Sequence, residues 1–190
     1  MFVAAATALL GSPGPGIAAL LAVGKSQGWS VGLRYYAGLQ IGLAVAVVSS
    51  GTGVVSLLLV YPAVARVMVI GATIYLVFLA YAIAASPVGI DRTERPGSYS
   101  PAAGVLLGIT NPKAYLAIAS LLASPLQLKV GEGANIVLKV ALCIAVIAVV
   151  DIVWLWVGVA VGRTKLTPCG ERIMNVAMGA TILIATASSL

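Results

Sequence analysis

Three places in an otherwise apolar chain hold the groups that could do chemistry: Ser12-Pro13-Gly14-Pro15, Thr110-Asn111-Pro112-Lys113, and Asp151. Ser12 and Asn111 are good helix N-cap residues, and each precedes a proline, the residue best tolerated at the first helical position. Each pair therefore predicts the start of a new helix, whose unpaired N–H groups and partial charge of roughly +0.5 would receive an anion such as a carboxylate. Lys113 stands one residue into the second of these helices. It and Asp151 have opposite signs, and each lies about eleven residues, or about 16 Å, from an end of its apolar segment. Facing hydrocarbon at that depth would cost each roughly 2.5 kcal/mol or more, so both are expected to face a protein interior or a water path. In that setting Asp151 reads as a proton-titrating or amine-binding carboxylate, and Lys113 as its counter-charge or a carboxylate contact. A static ion pair that fixes helix packing is the alternative. Tyr115 and Trp154, nearest these charges in depth, are candidates to line a cavity, although packing is the favoured role.

The elements that must position these groups follow from composition. Of 190 residues, 61% are apolar and 8% charged, against roughly 25% charged in a soluble domain, and the mean hydropathy is +1.11. At about 20 residues per span, the chain reads as an all-α integral membrane protein of six transmembrane helices, with no room for a separate soluble domain. The spans are expected at Phe2 to Gly24 (broken at Ser12 to Gly16), Tyr35 to Val60, Val64 to Ala85, Ala102 to Leu122 (broken at Asn111-Pro112), Ile136 to Val161, and Ile173 to the end. A hydrophilic connection, Lys25 to Arg34, is expected between the first two. The start lacks a basic region before its apolar run, so it reads as a first span and not as a cleaved leader.

The polar, proline-rich stretch 87–101 divides the chain into two units of three spans, 1–86 and 102–190. Because three is odd, the second must enter the membrane from the opposite side, which makes the pair an inverted repeat with a Pro-broken first helix in each. Matched breaks in the two halves of a chain are a pointer to a transport site near the bilayer midplane. Connections after spans one, three and five carry Lys25, Arg34, Arg92, Arg95, Arg163, Lys165 and Arg172, whereas those after two and four carry Arg66, Lys129 and Lys139. The richer side is expected in the cytoplasm, which places both termini outside. Trp29, Trp156, Tyr35, Tyr36, Tyr61 and Tyr99 fall near span ends, as interfacial anchors do. Gly24, Gly28, Gly32, Gly38 and Gly42 have the small-residue spacing that lets helices approach closely.

Several function classes are excluded. The chain has no histidine, which removes His-dependent triads, His general bases and the commonest metal ligand. Its dispersed Lys and Arg form no basic stripe, so nucleic acid is not an expected partner despite a net charge of +6. Cys143 and Cys169 form no Cys-x-x-Cys, and neither stands beside the prolines, which argues against a membrane thiol and electron relay. A non-transporting scaffold would not need paired breaks with charges at the midplane.

The Ser12-Pro13-Gly14-Pro15 motif, the glycine ladder to Gly42, Gly71 with Tyr75-Leu76, Gly108 with Asn111-Pro112-Lys113, and Asp151 before Trp154 together resemble the LysE/RhtB-type amino-acid exporters. Ala80 stands where that family often has glycine. The resemblance covers nearly the whole chain and implies six spans in the cytoplasmic (inner) membrane, no cofactor or metal, and proton-driven export of amino acids or similar zwitterions. Expected partners are such a metabolite, the proton and the lipid bilayer, with a homodimer left open.

Overall fold

Serine, asparagine or threonine followed by proline sets three of the helix starts among the described residues. The computed structural model describes residues 2–12, 14–51, 99–124, 131–164 and 167–187, with scattered positions between 63 and 85. Its helices are α1 (Phe2–Gly11), α2 (Pro15–Gly51), α3 (Pro101–Thr110), α4 (Pro112–Ala123), α5 (Glu132–Gly162) and α6 (Pro168–Ala187). The described positions from 63 to 84 are helical as well, and there is no strand among the described residues. Four of these helices begin on proline, whose fixed φ and missing N–H suit the first helical position. Ser100 caps α3 by accepting from the Ala103 amide at 3.1 Å, and the Thr167 hydroxyl accepts from the Gly170 amide at the start of α6.

By length and composition α2 and α5 can each cross a membrane, and α3 with α4, bent by 54°, would make a third crossing if the pair is one span. Six spans were expected; the described residues give this narrower set. The Pro13 position, the linker 87–98, Tyr61 and most of the third span lie outside the described residues. Exposed apolar side chains such as Val137, Val149, Trp156 and Ile184 coat the outside, as a lipid-facing surface requires.

The expected hydrophilic connection from Lys25 to Arg34 is instead helical. α2 runs through it and changes direction at Gly28 alone, at φ 73° and ψ −165°, a backbone region that glycine occupies and other residues avoid. A single glycine does the work of a loop because its neighbours are covered: Lys25 is buried and donates to Asn175 Oδ1 on α6. Lys139, also read as a connection residue, lies within α5 and donates to the carbonyls of Leu122, at 2.8 Å, and Ser124. It thereby satisfies the exposed end of α4. Tyr35, expected at an interface, is fully buried.

α2 is the central element and packs chiefly against α5 and α3. The contact with α3 is backbone on backbone: Gly38 and Gly42 of α2 meet Gly104 and Gly108 of α3. A Cβ added at Gly108 would lie 2.7 Å from the Leu43 nitrogen, and one at Gly104 2.5 Å from the Tyr35 oxygen. The contact with α5 repeats the device, since a Cβ at Gly158 would lie 2.5 Å from the Leu21 oxygen and one at Gly24 2.7 Å from the Leu155 oxygen. Small residues at four-residue spacing on facing helices give van der Waals contact where lipid supplies no hydrophobic drive. α6 meets the third segment in the same way, at Gly179 against the Ala80 carbonyl.

Candidate functional site

The chain stops being helical between α1 and α2 and again between α3 and α4, and the fold sets these two places side by side. Asn111 has extended φ/ψ (−77°, 100°) and ends α3 while capping α4, its side chain accepting from the Ala114 amide at 3.4 Å. The Asn111 carbonyl takes the first backbone bond of α4, from Ala114 N at 3.1 Å. The other place differs from expectation. α2 starts at Pro15, where the Gly14 carbonyl accepts from the Ala18 amide at 2.9 Å. Ser12 does not cap α2; its hydroxyl turns back to donate to the Leu9 carbonyl of α1 at 2.8 Å. Two prolines in succession offered two possible starts, and the chain uses the second.

Lys113 spans the two places. Its Nζ donates to the Ser12 carbonyl at 2.5 Å and to the Ser12 hydroxyl at 2.8 Å. The stem of the side chain lies across Gly14, where an added Cβ would come within 2.7 Å of Cδ and 2.9 Å of Nζ. Gly14 therefore leaves the room that the lysine occupies. At Gly16 an added Cβ would sit 3.7 Å from Asn111 Nδ2, so the start of α2 and the cap of α4 are in near contact. An ammonium bonded to a carbonyl and a hydroxyl has its charge partly compensated, and it remains half-buried.

Asp151, only 4% exposed, approaches from α5. Its Oδ2 accepts from Gln40 Nε2 of α2 at 2.8 Å. One turn earlier on α2, the Tyr36 hydroxyl donates to the Ala148 carbonyl of α5 at 3.0 Å. Tyr36 and Gln40 thus form a polar strip at i, i+4 that holds α2 against α5 and fixes the carboxylate's orientation. The two opposite charges hold different partners, Lys113 on Ser12 and Asp151 on Gln40.

Both charges line one small, half-open cleft of about 40 Å3. Its polar lining is Ser12, Gly14, Gly16, Asn111, Lys113 and Asp151, and its walls include Leu9, Leu10, Ile17, Leu43 and Ile147. The mixed lining, mostly apolar with few convergent polar groups, is of the kind that small-molecule sites use. Of the candidates read from sequence, Pro15 is buried at the start of α2 and does not join the lining. Tyr115 packs on the core, and Trp154 donates its indole N–H to the Gly11 carbonyl at 3.3 Å; neither belongs to the lining. Pro13 lies outside the described residues, and Pro112 contributes the first residue of α4. Gln40 was not singled out from sequence, although an amide inside an apolar segment, four residues from Tyr36, was available as a signal. Among the described residues no group of His, Cys, Asp and Glu could hold a metal.

A family model described as LysE type translocator matches residues 7–188. No curated protein and no solved structure matches the chain.

Proposed function

The chain belongs to the LysE type translocator family, a membrane transporter family, and from that premise we propose that it exports amino acids or similar small zwitterions by proton antiport. The observation that supports this reading best is the Lys113 ammonium bonded to Ser12, 101 positions away in sequence, in a cleft that also contains Asp151. In this reading a substrate carboxylate competes with Ser12 for Lys113 and meets the N-terminal amides of α4, which carry partial positive charge. The substrate ammonium and a proton compete for Asp151, so that loading one favours release of the other. Such competition for one carboxylate is the coupling that antiport needs.

The same proposal takes α1 with the start of α2, and α3 with α4, as the Pro-broken first helices of two inverted repeats. The helix starts would approach the midplane from opposite sides, and the repeats would rock about the cleft to give access to each face in turn. It places the protein in the cytoplasmic membrane with both termini outside, and leaves a homodimer open. Ser12, Pro13, Gly14, Pro15, Asn111, Pro112, Lys113 and Asp151 form the substrate and ion pathway.

Counterflow of labelled amino acids into proteoliposomes at two values of the proton gradient tests the function. A substrate-dependent signal whose net efflux rises with the inward proton gradient is expected. A purely structural membrane scaffold would give no counterflow, and an efflux indifferent to the gradient would remove the antiport.

A further inference from the structure

The side chain of the substrate is set by what the cleft offers beyond its two charges. The lining supplies one cation, Lys113, and one carboxylate, Asp151. An α-amino acid presents one carboxylate and one ammonium, so its backbone groups take up both. Among the described residues the other acidic groups stand outside this lining, Glu132 at the first position of α5 and Glu171 in the first turn of α6. Of the remaining polar lining atoms, the Ser12 hydroxyl is engaged by Leu9 and Lys113, and Asn111 Oδ1 by the Ala114 amide. What is left for a side chain is Leu9, Leu10, Ile17, Leu43 and Ile147, of which Ile17, Leu43 and Ile147 are themselves at least nine-tenths buried.

Resting on the export reading above, we propose that the cleft selects α-amino acids with uncharged aliphatic side chains and rejects those with a charged side chain. A lysine or arginine substrate would bring a second cation into a wall that, among the described residues, holds no second carboxylate. A glutamate would bring a second anion with only one ammonium to meet it. Either charge would be desolvated against leucine and isoleucine without a partner, which costs far more than a mismatch in apolar volume. An aliphatic side chain instead exchanges water for the walls that are already there.

The test is counterflow by the purified full-length protein in proteoliposomes with leucine, valine, lysine, arginine and glutamate at equal concentration. Leucine and valine are expected to exceed the three charged amino acids at least tenfold. Lysine, arginine or glutamate equal to leucine would overturn this inference while leaving amino-acid export intact. No counterflow of any of the five, from protein shown to be helical and monodisperse, would overturn both. A second measurement asks whether the walls hold the side chain: Leu43→Ala should raise the ratio of phenylalanine to leucine counterflow about tenfold, and an unchanged ratio counts against the proposal. If Leu43→Ala does not fold, Ile147→Val is expected to shift the ratio the same way by about threefold, and the wild-type panel decides in either case.

Discussion

Replacing Gly14 by alanine tests whether the ammonium must lie where Ser12 holds it. The new methyl carbon would stand 2.7 Å from Lys113 Cδ, whereas ordinary contact begins at about 3.4 Å, so the side chain must give by about 0.7 Å. Only the far part of a flexible side chain has to move, so the steric part of the stability cost should stay below about 1 kcal/mol. The hydrogen bonds to Ser12, at 2.5 and 2.8 Å, would stretch toward about 3.2 and 3.5 Å, the limit of useful geometry. An ammonium moved from that place also meets the substrate carboxylate poorly; a charge-assisted bond is worth about 1.5–3 kcal/mol, so the rate is expected to fall by about tenfold to a hundredfold. Gly16→Ala is the internal comparison, because its methyl would meet Leu39 at 3.6 Å and Asn111 at 3.7 Å, both ordinary contacts. Its loss should be less than threefold. Counterflow rates with melting temperatures in detergent separate the two variants. Equal rates for Gly14→Ala and wild type, at similar melting temperature, would refute the role given to the Lys113 position.

Gly108→Val would drive a side chain into the Gly42 and Leu43 backbone, 2.7–2.8 Å away, where nothing can swing aside; a loss of at least about 2 kcal/mol or failure to fold is expected from thermal melting. Gly28→Ala meets no atom within 4 Å, yet it forces alanine to φ 73° and should cost about 1–3 kcal/mol through the backbone alone; an unchanged melting temperature would contradict this. Lys139→Met leaves the Leu122 and Ser124 carbonyls at the end of α4 without their donor and should destabilise by about 1–3 kcal/mol, while any residual transport keeps the wild-type substrate preference.

The parts of the site that were legible in sequence are those set by local chemistry. Asn111 before Pro112 announces a cap and a helix start because both depend on a few neighbouring bonds. Ser12-Pro13-Gly14-Pro15 announced a break but not its register, since either proline can open a helix; the choice rests on the Ser12 hydroxyl closing α1. The glycine spacing suggested close approach without naming partners, and only the fold shows Gly38 and Gly42 against Gly104 and Gly108. Gln40 escaped because its meaning lies in Asp151, 111 positions away. Lys25 and Lys139 were misread because a lone lysine near the end of an apolar run looks alike whether it reaches for water or turns inward. Inward is the answer here: each is at most 8% exposed and finds an oxygen acceptor on another helix or at its end.

The account stands most directly on Asp151. Asparagine at that position keeps an oxygen that can accept from Gln40, so the contact between α2 and α5 should persist while the titrating carboxylate is lost. At matched reconstitution, Asp151→Asn is expected to abolish net efflux driven by an imposed proton gradient. Near-normal gradient-driven efflux from this variant would contradict the coupling role of the carboxylate and with it the proposed antiport.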